Sequence, residues 1–154
     1  MWLSQELHEA ITKGQFHVVY QPIICLKTGQ FHRAEALLRW EHPEVGSINP
    51  SEFISVAEEN GSIFEIGEWV FLEVAKRLKG WRDRFDSDFQ ISVNTSPIQF
   101  RNHVISLRKW NAHLQQIGLD GDAVIIELTE GTLMELKTEV YKTLLLHREI
   151  GIQV

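Results

Sequence analysis

The sequence predicts an α/β protein whose parallel strands are joined by helical crossovers. From Phe31 onward, short apolar runs alternate with longer segments of helical period, in the order strand, helices, strand, helix, strand, helix, strand fragment. The helical segments are also closed by glycines, at Gly61, Gly80, Gly118 and Gly151, where a left-handed residue stops a helix. An open doubly wound sheet and a (β/α) barrel both fit this order. The doubly wound reading lacks its usual mark, since no G-x-G-x-x-G follows any strand.

Each element has its own local justification. Trp2–Lys13 has helical spacing, with Gly14 as its stop. Phe16–Pro22 and Phe31–Trp40 read as strands joined across the Lys27-Thr28-Gly29-Gln30 turn. Asn49-Pro50-Ser51-Glu52 marks a helix start, with Asn as N-cap, Pro at the first helical position and Glu placed for a capping box. That helix runs to Asn60. Phe64–Lys79 is a longer helix with Ile66, Val70, Val74 and Leu78 on one face, closed by Gly80. Phe89–Asn94 is a strand, Val104–Ile117 a helix, Ala123–Leu128 a strand and Glu139–Ile150 a helix. Ile152-Gln153-Val154 opens one more strand. If the fold is a barrel of about 250 residues, only part of it is present.

Composition narrows the class. A chain of 154 residues, 44% hydrophobic and 23% charged, fits one globular domain and excludes global disorder. No apolar stretch approaches the roughly 20 residues of a bilayer helix, so no membrane contact by this segment is expected. Met1–Leu7 lacks the basic and apolar regions of a secretory signal. The net charge of −6 argues against a nucleic-acid duplex, so no DNA partner is expected, yet it leaves room for a small anionic ligand. The single cysteine, Cys25, cannot form an internal disulfide, which points to a reducing, cytoplasmic setting. Cys25 reads as an inert packed thiol, Trp69, Trp81 and Trp110 as core, and the histidines, including His42, as loop or surface residues.

Polar residues inside apolar strands are the informative anomaly. Glu35 interrupts the Phe31–Trp40 run, Asn94 ends Ile91-Ser92-Val93, and Glu127 follows Val124-Ile125-Ile126. Alternation puts Glu35, Leu37 and Arg39 on one face. All three polar residues fall near the carboxyl ends of successive strands, where α/β folds place ligands. Two carboxylates and an amide oxygen form a hard ligand set suited to magnesium or manganese. Gln21 and Arg39 are placed to grip an anionic substrate. The bland reading competes: each glutamate is solvated or ion-paired, Glu35 with Arg39, and Asn94 before Thr95-Ser96-Pro97 is turn chemistry.

Glu35-Ala36-Leu37 stands within Glu35-Ala36-Leu37-Leu38-Arg39-Trp40-Glu41-His42-Pro43, preceded by Tyr20-Gln21-Pro22-Ile23 and followed by Ile48-Asn49-Pro50-Ser51-Glu52-Phe53-Ile54. Ala57-Glu58-Glu59-Asn60-Gly61, Ile66-Gly67-Glu68-Trp69-Val70, Ser92-Val93-Asn94-Thr95-Ser96-Pro97, Gln99-Phe100 and Glu127-Leu128-Thr129-Glu130 follow in order. Together these motifs resemble the EAL domain, a bacterial cyclic di-GMP phosphodiesterase family.

The resemblance implies a TIM-like (β/α) barrel with modified first strands, present here as an incomplete barrel that ends at the start of a strand. Residues 1–14 would be an N-terminal linker helix and 15–154 the domain. It implies Mg²⁺- or Mn²⁺-dependent hydrolysis of cyclic di-GMP to linear pGpG, with Glu35, Asn94 and Glu127 as metal ligands and Gln21 and Arg39 as substrate contacts. Gly131 stands where the family commonly has serine. The family's D-D-F-G-T-G aspartates, catalytic lysine and later glutamate and glutamine lie beyond Val154, so no catalytic residue is expected within this chain and turnover by the chain alone is not expected. A longer parent with an upstream sensory or GGDEF domain is the favoured context; a naturally short member or a homodimer formed through open edges would also fit. The alternative function is a non-catalytic cyclic di-GMP receptor or a protein-interaction module.

Overall fold

The computed structural model describes residues 2–101, 104–128, 151 and 153. The helix expected over Glu139–Ile150, and Thr129, Glu130 and Gly131, lie outside the described residues.

Helix α1 (Trp2–Ala10) unwinds through one further turn into Gly14, whose φ is +65°. The Gly14 amide donates to the Ile11 carbonyl and the Gln15 amide to the Ala10 carbonyl, a Schellman closure that satisfies the last carbonyls of the helix. Strands β1 (Phe16–Ile24) and β2 (Phe31–His42) form an antiparallel hairpin. A short strand, β3 (Gly46–Ile48), folds back antiparallel on Trp40–His42. At three residues it has too little alternation to be read from sequence. Helix α2 (Pro50–Asn60) starts on Asn49, whose side chain accepts the Ser51 amide, and stops at Gly61 with φ +84°.

Helix α3 (Ile63–Arg84) corrects the expected stop at Gly80, for it continues one turn beyond. A mid-helix glycine costs about 1 kcal/mol relative to alanine. Packing outweighs that: Trp81 sits edge-on to Tyr20 and Phe89, with ring centroids 5.0 and 5.3 Å apart, and Lys79 pairs with Asp83. Then come β4 (Gln90–Asn94), the short helix α4 (Pro97–Arg101), α5 (Val104–Gln116) and β5 (Val124–Glu127).

The sheet order is β1-β2-β4-β5, with β3 paired to β2. Strands β2, β4 and β5 are parallel, and Gln153 adds a parallel bridge beside Ile125. Among the described strands the parallel set lies in chain order and never reverses. One sheet face, carrying Ala36, Trp40, Ile91, Val93, Val124 and Ile126, packs against Phe53, Phe71, Val74 and Leu78 of the helices and forms the core, joined by Leu7 and Ala10 of α1. Each fully buried large side chain there contributes about 1.5–3 kcal/mol. The indole of Trp40, fully buried, donates to Gln15 Oε1 at 2.8 Å.

Two local expectations are corrected. His42 is buried, because β3 and α1 cover it: its Nε2 bonds Glu6 and its Nδ1 accepts the Glu44 amide. Cys25 is exposed in the hairpin turn instead of packed.

Candidate functional site

The second sheet face is polar where the first is apolar, and period-2 alternation sorts the residues. Glu35 lies between the core residues Ala34 and Ala36, so it faces away from the helices. Strand register then brings its companions alongside. Gln21 is opposite Glu35 on β1, Ser92 is beside Glu35 on β4, and Asn94 is beside Glu127 on β5. Glu35, Asn94 and Glu127 therefore occupy three adjacent parallel strands on one face. Adjacent strands stand about 4.8 Å apart.

Asn94 Nδ2 donates to Glu35 Oε1 at 2.6 Å. That bond uses one of the two amide hydrogens and one lone pair of Glu35 Oε1, and it leaves Asn94 Oδ1 and Glu35 Oε2 as acceptors. The strand ends are tied as well: the Thr95 amide donates to the Glu127 carbonyl at 3.0 Å. Glu35 makes no ion pair with Arg39. The Arg39 guanidinium instead donates to the Leu38 carbonyl at 2.9 Å. Among the described residues no group of three or more His, Cys, Asp and Glu converges on one point.

Arg39 and Asn94 line a cavity of about 390 Å³ walled by Pro50, Ile54 and Glu58 of α2 and by Gln99. The segment over Asn94 is shaped by a capping box. Ser96 Oγ accepts the Gln99 amide, and Gln99 Oε1 accepts the Ser96 amide in return. The Ser-Pro-x-Gln spacing that signals this helix start is present in Ser96-Pro97-Ile98-Gln99, a segment for which the sequence offered turn chemistry only as the bland alternative at Asn94. Ser92 was named only within a motif and was given no role of its own.

The model of the EAL domain matches residues 4–154. The chain belongs to the EAL domain family. It is 38% identical over 150 residues to the oxygen sensor protein DosP of Escherichia coli, covering 97% of this chain and 19% of that protein. Against the cyclic di-GMP phosphodiesterase PdeR of Escherichia coli it is 34% identical, covering all of this chain and 23% of that protein. Among solved structures, the PaMucR phosphodiesterase in complex with c-di-GMP superposes with a TM-score of 0.91 at 34% identity, covering 99% of this chain and 61% of that one. This EAL chain thus spans about a fifth of those two curated relatives. None of the described helices is long and apolar enough to cross a membrane.

Proposed function

We propose that this EAL chain supplies the binding half of a cyclic di-GMP phosphodiesterase site, in a domain that cleaves one phosphodiester bond to give linear pGpG. The observation that carries the reading is the 2.6 Å bond from Asn94 to Glu35, with Glu127 in register on the next strand. The family relation supports it, since PdeR and PaMucR are phosphodiesterases by name. The unreversed order of the parallel strands favours a TIM-like barrel over a doubly wound sheet, with β1 as its antiparallel exception.

The donor set fits Mg²⁺ or Mn²⁺. Such ions take carboxylate and amide oxygens, keep several waters and complete their shells with substrate phosphate. Glu35, Asn94 and Glu127 would hold the ion, which when bound polarises a phosphoryl oxygen and acidifies water. Asn94 would do two things at once: its nitrogen holds the Glu35 carboxylate, and its oxygen would be a metal donor. Arg39 presents a planar fork suited to a phosphate, and Gln21, opposite Glu35, offers an amide to the dinucleotide. No D-D-F-G-T-G segment occurs among these 154 residues, so turnover is assigned to a protein that also carries it. Its regulator would be a sensory or GGDEF domain upstream of α1, in the cytoplasm.

A second reading, a non-catalytic receptor of the dinucleotide, draws on the same proposed contacts, Arg39 beside the cavity and Gln21 opposite Glu35, without turnover. One experiment separates the two. The chain, and the same chain extended by a D-D-F-G-T-G half, are incubated with cyclic di-GMP and Mn²⁺ and analysed for pGpG by chromatography, with Glu35→Ala as control. Product from the extended form that vanishes in Glu35→Ala supports the enzyme. Binding without product in the extended form overturns it in favour of the receptor, and product unaffected by Glu35→Ala overturns the assigned site.

A further inference from the structure

Among the described residues, Ser92 Oγ is the only buried side-chain polar atom without a hydrogen-bond partner. The residue is 3% exposed. Burying a hydroxyl unsatisfied costs stability that an alanine of nearly the same shape would not cost. The location suggests what offsets that cost. Ser92 lies between the core residues Ile91 and Val93, so its side chain is on the opposite face, the face of Asn94 two residues on. Parallel register sets it directly beside Glu35 on one neighbouring strand and beside Ile125 on the other. One oxygen of Glu35 already accepts from Asn94, and among the described residues the other accepts from nothing.

We propose that Ser92 is a positioning residue for the site, donating its hydroxyl proton to the Glu35 carboxylate when that carboxylate takes a divalent cation. The inference rests on the metal reading above. A carboxylate that ligates a metal is aimed by hydrogen bonds from groups that do not touch the metal themselves. Asn94 supplies one such bond from the strand end, and Ser92 supplies a second from the adjacent strand. A hydroxyl suits this post because it rotates freely about its C–O bond and follows the carboxylate as the ion arrives. Without the ion the hydroxyl is stranded; with it, the hydroxyl is paired. Removing it therefore moves two measurable quantities in opposite directions.

The test compares the unaltered chain with Ser92→Ala, Ser92→Thr and Glu35→Ala. Mn²⁺ uptake is followed by the electron paramagnetic resonance signal of the free ion, and Tm is measured without metal. Ser92→Ala is expected to bind Mn²⁺ about tenfold more weakly while its metal-free Tm rises, and Ser92→Thr, which keeps the hydroxyl, is expected to restore affinity. Unchanged Mn²⁺ affinity in Ser92→Ala, with affinity lost in Glu35→Ala, overturns the role of Ser92 and leaves the metal site standing. A lower metal-free Tm in Ser92→Ala marks the hydroxyl as structural and also overturns it. An unaltered chain that takes up no Mn²⁺ overturns this inference together with the metal reading.

Discussion

The side-chain amide of Gln99 occupies the space in which a side chain at Gly67 would begin. A Cβ built on Gly67 would overlap Gln99 Nε2 and come within 3.1 Å of its Cδ. Gln99 cannot yield easily: its Nε2 donates to the Ile63 carbonyl at 2.8 Å and its Oε1 accepts the Ser96 amide at 3.1 Å. Gly67 thus lets α3 approach the segment that follows β4, and the two residues close one wall of the cavity beside Arg39.

Alanine at position 67 should therefore destabilise, although alanine is worth about 1 kcal/mol over glycine in an ordinary helix interior. Overpacking costs about 1–3 kcal/mol, and the displaced amide loses its partners as well. Urea unfolding of Gly67→Ala should show a loss of about 2 kcal/mol. In a Gln99→Ala background the same substitution should cost little, and the double-mutant cycle measures the difference.

Asn94→Asp should make the metal-free protein sensitive to rising pH. The substitution sets a second carboxylate where Nδ2 now donates to Glu35 at 2.6 Å, and two such groups cannot both ionise without cost. One folded-state pKa is then raised above its unfolded value. The stability it contributes is complete below the ordinary carboxylate range of about 4 and is lost as pH rises through the raised value. Thermal unfolding from pH 4 to 8 without metal should show a decline absent from the unaltered chain, and added Mn²⁺ should reverse it.

Replacing Arg39 tests its proposed contact with the dinucleotide separately from the proposed ion. A hydrogen bond to a charged group is worth about 1.5–3 kcal/mol, so Arg39→Ala should weaken cyclic di-GMP binding roughly 10- to 150-fold in calorimetry. Arg39→Lys should recover little, because an ammonium cannot reproduce the fork. Mn²⁺ affinity should be unchanged in both.

The acid limb of stability should carry the signature of Glu6. The His42 Nε2–H bond holds the Glu6 carboxyl below the usual glutamate range, with Lys13 adding to the effect. The Glu44 amide occupies His42 Nδ1, which leaves the ring proton on Nε2, aimed at Glu6. A depressed folded-state pKa contributes stability that is present above about pH 4.3 and lost as pH falls through the depressed value. Glu6→Gln should flatten the fall of the urea midpoint below pH 4.3.

What the sequence revealed was whatever is decided locally. The Asn49 cap and the closure at Gly14 rest on residues within one turn of each other, and both are found where the sequence places them. The stop expected at Gly80 failed because Trp81 has distant aromatic partners that no local pattern announces. His42 went to the interior for the same reason, through Glu6, which is 36 residues away. In the candidate site, alternation was enough to place Glu35 on one face with Arg39. The pairing of Asn94 with both Glu35 and Glu127 depends on strand register, and register is settled by tertiary packing of the opposite, apolar face.

Because the parallel strands stand side by side in the order of synthesis, each one completes an edge that its predecessor has left open. The hairpin of β1 and β2 can pair before β4 exists, β4 can then dock with Asn94 reaching Glu35, and β5 brings Glu127 last. None of the described strands has to wedge between strands already joined, so each adds one loop-closure cost at a time during folding. Progressive removal of residues from the carboxyl side would accordingly strip ligand candidates one by one, Glu127 before Asn94 and Asn94 before Glu35.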